Sequence, residues 1–127
     1  MMRGLKQAGV LVALTLSAHA AAAQTSEDAV QRANRMAYEA SMKCFIANGH
    51  AAGLRTRAGE TEKAAASEAS ARLSFSAATK LGHALGFSEE RINQDFSITQ
   101  SRELPPMVTD QAYFLRTVAT CKALGLM

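Results

Sequence analysis

Two cysteines, Cys44 and Cys121, are the side chains here with the clearest capacity for covalent chemistry. They stand 77 residues apart (121 − 44), so neither belongs to a Cys-x-x-Cys dithiol or a Cys-x-x-Cys-His haem attachment motif. In an oxidising compartment an isolated pair forms a disulfide, whereas in a reducing one the same residues pack as small hydrophobes. His50 and His83 lack the i,i+4 partner that would make a helical metal site, and near helix ends they read as surface or capping histidines. Arg55 and Arg57 form the densest basic feature and could contact an anionic ligand or partner. Glu89 and Glu90 are adjacent, so on a helix they diverge and favour the helix start rather than pairing as acid and base. Met36, Met42, Met107 and Met127 read as core or terminal residues rather than metal ligands. The chain has no Gly-x-Ser-x-Gly, His-Glu-x-x-His or phosphate-cradling glycine loop. No catalytic residue, metal ligand or cofactor is therefore assigned, and His50, Arg55, Arg57 and His83 remain as candidate ligand or partner contacts.

The compartment that decides the cysteine chemistry is written at the N-terminus. Arg3 and Lys6 precede an apolar run through Val10, Leu11, Val12, Leu14 and Leu16, followed by small residues up to Ala23. Basic start, short apolar middle and small-x-small site are the layout of a secretory signal peptide, with cleavage expected after Ala23. The run is too short for a spanning helix, which needs about 20 apolar residues, and no cysteine at the cleavage site could accept lipid. The bacterial look of the leader places the mature protein in the periplasm or outside the cell, with no stable membrane anchor. Removal of residues 1–23 leaves 104 of the 127 residues as a single domain. The 14 basic residues become 12 against 11 acidic ones, and the net charge falls from +3 to +1. A chain this close to neutrality gives no electrostatic support for nucleic-acid binding.

Alanine-rich composition, two prolines and 6% aromatics point to helices throughout. Helix one should begin near Ser26, run along Val30, Ala33, Ala37, Ala40 and Cys44, and stop at Asn48-Gly49. A connector over 50–59 leads to a long helix over 60–85 whose apolar line is Ala65, Ala69, Leu73, Ala77, Leu81 and Leu85. The small side chains of residues 64–71 suit close approach by another helix. Gly86 ends that helix, and Ser88 caps a short third one anchored by Ile92 and Phe96. Pro105 and Pro106 place a loop over 97–106, before a last helix over 107–124 carrying Phe114, Val118 and Cys121.

These elements give an all-α fold: a small helical bundle of three long helices and one short helix, stapled by Cys44–Cys121. With Cys44 near the end of helix one and Cys121 near the end of the last, the two helices must run parallel or cross. An up-down-up core satisfies this, with the short third helix folded into the connection. The functional expectation is a small exported binding protein, of envelope-stress or chaperone-like kind, whose partner is another envelope protein. The alternative is a periplasmic carrier of a small apolar ligand, metal or cofactor; an enzyme with an unfamiliar site ranks last.

Overall fold

A computed structural model describes the backbone of residues 5–127 and the side chains of residues 26–127. The leader reading rests on residues 1–23, whose side chains lie outside that description. The chain divides into two compact units, residues 1–33 and 34–127, and the following concerns the second unless stated. Four helices account for nearly all of it: α1 (Leu5–Arg57), α2 (Thr61–Ala84), α3 (Glu89–Thr109) and α4 (Gln111–Ala123). The described residues form no strand.

Helix α1 overrides two expected boundaries. Its backbone is already helical at Leu5, so Thr25 and Ser26 lie inside it rather than capping it. It also continues through Asn48-Gly49. Asn48 is fully buried, and its Nδ2 donates to Ser74 Oγ (3.2 Å) on α2 and to the Leu126 carbonyl (2.8 Å). A side chain committed to those partners cannot fold back on its own backbone to end the helix. The stop comes at Gly59, whose φ of 75° lets the Glu60 amide return to the Arg55 carbonyl at 2.9 Å. Helix α2 ends at Gly86 as expected, with the Phe87 amide bonded to the Gly82 carbonyl at 2.9 Å.

The third helix is long, not short. Ser88 caps it as expected, its side chain accepting from the Arg91 amide at 3.1 Å. The helix then runs past Pro105 and Pro106 instead of giving way to a loop. Each proline lacks the N–H that would reach four residues back, to Ser101 and Arg102. Both of those residues are exposed, so water can serve their carbonyls, while buried Met107 holds the final turn against the core. Asp110 separates α3 from α4 and caps the latter through Oδ1, which accepts from the Tyr113 amide at 3.1 Å.

The count of three long helices and one short one stands, but the short helix is α4. Arg55 reaches Lys63 and Ser67, Asn48 reaches Ser74, and Tyr38 lies beside Gly82, so α1 and α2 are antiparallel. Tyr38 reaches Asp95, Met42 reaches Thr99, and Lys43 reaches Glu103, so α3 runs parallel to α1. The up-down-up core is therefore α1, α2 and α3. Helix α4 crosses α1: Cys121 bonds Cys44, Tyr113 lies under Lys43, and Phe114 meets His50. Cys44 is well inside α1 and not near its end.

One core cluster comprises Tyr38, Met42, Ala78, Ile92 and Phe96; the other comprises Cys44, Ile46, Ala47, Met107 and Cys121, with Phe45 packed against both. Helix α2 presents Ala64, Ser67, Ala71, Ser74, Ala78 and Gly82, a strip of small residues offset from the expected apolar line. Leu73, an expected core residue, is 52% exposed, and Val118 is only half-buried. Val30, on the expected buried face of α1, is exposed as well. Small side chains occupy the interior of α2 where neighbours approach closely: a Cβ on Gly82 would already lie 2.7 Å from Ile92 and 3.0 Å from Tyr38.

Candidate functional site

A groove of about 560 Å³ lies between the second half of α1 and the second half of α3, wholly within the unit 34–127. Helix α1 contributes Phe45, Ile46, Gly49, His50, Gly53 and Arg57, which recur at three- and four-residue steps along one face. Helix α3 contributes Gln100, Leu104 and Val108, each four residues after the last. The volume falls within the roughly 300–1,000 Å³ of small-molecule sites, and most of the lining is apolar.

The floor is open because two residues lack a side chain. A Cβ on Gly49 would meet nothing within 4 Å. A Cβ on Gly53 would have the Arg57 Nη1 at 3.6 Å as its neighbour, so the guanidinium folds back over the space that Gly53 leaves. Arg57 pairs with no carboxylate among the described residues, and no acidic residue lines the groove.

His50 is the other polar group on the α1 wall. Its ring stands edge-on to Phe114 of α4, with centroids 4.9 Å apart. Burial, and then the Arg57 charge, hold the imidazole below its ordinary pKa, so near neutral pH it is uncharged. Arg57 is thus the one cation of an otherwise uncharged trough.

The four candidate contacts separate in space. His50 and Arg57 come together in the groove. Arg55 instead binds the Lys63 carbonyl (3.2 Å) and Ser67 Oγ (2.8 Å), fastening the end of α1 to the start of α2. His83 lies exposed in the last turn of α2. Glu89 and Glu90 occupy the first turn of α3, where the helix dipole favours them. Cys44 and Cys121 form a disulfide with Cα atoms 5.6 Å apart, buried in the core and remote from any thiol chemistry.

Sequence reasoning missed Gly49 and Gly53 by reading the first as a helix stop and the second as connector. It missed Gln100 and Leu104 because the proline pair suggested a loop over 97–106, and it placed Val108 in the last helix rather than in α3. Their four-residue spacing was the available signal.

Two polar networks flank the site. Tyr38 donates to Asp95 Oδ2 at 2.7 Å, and Arg91 Nε reaches the same oxygen at 3.2 Å. Burial, then the bond to Asp95 and its charge, raise the Tyr38 phenol well above the ordinary range, with Arg91 opposing. Glu103 accepts from the Tyr113 hydroxyl and from Arg102, with Lys43 at 3.8 Å. Burial pushes its carboxyl up, but these three partners together carry it below its ordinary value. Both networks tie helices together, and neither opens on the groove. Among the described residues no three His, Cys, Asp or Glu side chains are grouped to hold a metal ion, and no helix is long and apolar enough to cross a membrane.

No protein-family model, curated protein or solved structure matches this chain.

Proposed function

We propose that this is an exported binding protein, periplasmic after removal of residues 1–23, that carries a small apolar ligand in the α1–α3 groove. The observation behind the carrier reading is the glycine-floored trough: a helix face with Gly49 and Gly53 on the solvent side leaves room that neither neighbouring helix fills. Of the two expectations, a protein partner and a carried ligand, the groove favours the second. Other exposed apolar residues, among them Ile98 and Leu115, are what any monomer shows when they occur singly. Export draws its support from the leader pattern and from the Cys44–Cys121 bond, which is compatible with an oxidising location.

Each half of the proposal has a direct test. Cell fractionation followed by N-terminal sequencing should find the protein in the periplasm beginning at Gln24; retention in the cytoplasm with an intact leader would overturn export. Titration with the uncharged fluorophore N-phenyl-1-naphthylamine should show saturable one-to-one binding that Gly49→Leu removes. A linear, non-saturating signal, or one that Gly49→Leu leaves unchanged, would overturn the carrier reading.

A further inference from the structure

We infer that the ligand of the groove is a single-chain amphiphile ending in a carboxylate, a free fatty acid in chemical class, held head-first by Arg57 at Gly53 with its chain along Gly49 towards Phe45 and Ile46. The inference rests on the carrier reading and specifies its ligand.

Charge decides the head group. Arg57 places a guanidinium over Gly53 with no carboxylate partner among the described residues, and the groove holds no acid. A guanidinium offers paired N–H donors that match the two oxygens of a carboxylate. A cationic ligand would be repelled here, and a carboxylate gains an ion pair with Arg57 that an uncharged ligand cannot make. His50, uncharged near neutral pH, adds a ring N–H donor without a second positive charge.

Geometry decides the tail. Moving along α1 from Arg57, the lining passes through Gly53 and Gly49 to Phe45 and Ile46, with Leu104 and Val108 opposite. The guanidinium over Gly53 marks the head, and from there the α1 wall runs to Phe45 over about eight residues of helix, or about 12 Å at 1.5 Å per residue, with Gln100 the one polar residue on the α3 side. An unbranched chain can follow this trough past Gly49, where a Cβ would meet nothing within 4 Å.

The test compares dodecanoate with dodecanol by displacement of N-phenyl-1-naphthylamine from the intact protein, below the micelle concentration. Dodecanoate should bind at least tenfold tighter than dodecanol. Arg57→Gln should abolish that preference, and Arg57→Lys should restore part of it. Shortening the chain to decanoate should weaken binding, by up to about fourfold per methylene removed. Gly49→Ala should weaken both ligands while raising the melting temperature, which separates a filled groove from a damaged fold. Equal affinity for acid and alcohol, or an unaltered preference in Arg57→Gln, would overturn the inference and leave the carrier reading standing. Binding confined to phosphatidylglycerol vesicles, with none to free dodecanoate, would overturn it in favour of a membrane headgroup. Failure of the uncharged fluorophore itself to bind would instead overturn the carrier reading.

Discussion

Gly49 and Gly82 show how far one residue type can differ in consequence. A Cβ on Gly82 would lie 2.7 and 2.8 Å from Ile92 carbons and 3.0 Å from Tyr38. Ile92 is buried in the core cluster that includes Tyr38, so it has nowhere to move. Gly82→Ala should therefore cost about 1–3 kcal/mol as overpacking. Gly49→Ala adds its methyl to open space and gains helix propensity, so it should stabilise by about 0.5–1 kcal/mol. Urea unfolding of the two variants checks the opposite signs. His50 carries a prediction in pH. Its folded pKa is depressed, so between that value and the ordinary histidine value of about 6.5 the unfolded chain binds more protons than the folded one. Its contribution to stability is undiminished above that window and falls as pH drops through it. His50→Gln should flatten this part of the decline in melting temperature below about pH 6.5, as measured by thermal melts across pH. Neither glycine role could be read from sequence, because Asn48-Gly49 has the form of a helix stop and only tertiary partners deny it that role.

The starts of α2 and α3 were the most legible feature at the level of elements. Ser88 acts as the cap its position suggests, since the interaction is local and needs only three residues to form. Ser88→Ala should cost about 1 kcal/mol, measurable by chemical denaturation. The proline pair was misread because local rules treat proline as a helix breaker, whereas here Met107 and the last turn of α3 are held by the core. The face of α2 departs from its hydropathy pattern for a related reason. Hydropathy selects Leu73, but packing selects Ser67, Ser74 and Gly82. Leu73→Ala should accordingly change stability by no more than about 0.5 kcal/mol in the same assay. The site straddles both boundaries: Gln100 and Leu104 lie in the stretch the prolines mark as loop, and Gly49, His50, Gly53 and Arg57 lie at or beyond the expected helix stop.

For the whole molecule, the disulfide is the dominant single constraint. It closes a loop with a sequence separation of 77 and fixes α4 across α1. The chain-entropy relation gives about 4–5 kcal/mol for such a loop. Replacing both cysteines with serine should lower stability by about that amount in non-reducing buffer, and reduction of the native protein should produce most of the same loss in urea melts. Sequence alone determined the helical class, the starts of α2 and α3, the glycine stop at Gly86 and the partnership of Cys44 with Cys121. Those features depend on propensity, on bonds between near neighbours, or on there being one available thiol partner. Only the tertiary structure decided which helix is short, which face of α2 is inside and that His50 and Arg57 share a groove while Arg55 and His83 do not. Each of those depends on contacts between distant residues, where burial against a particular neighbour outweighs the local preference of the chain.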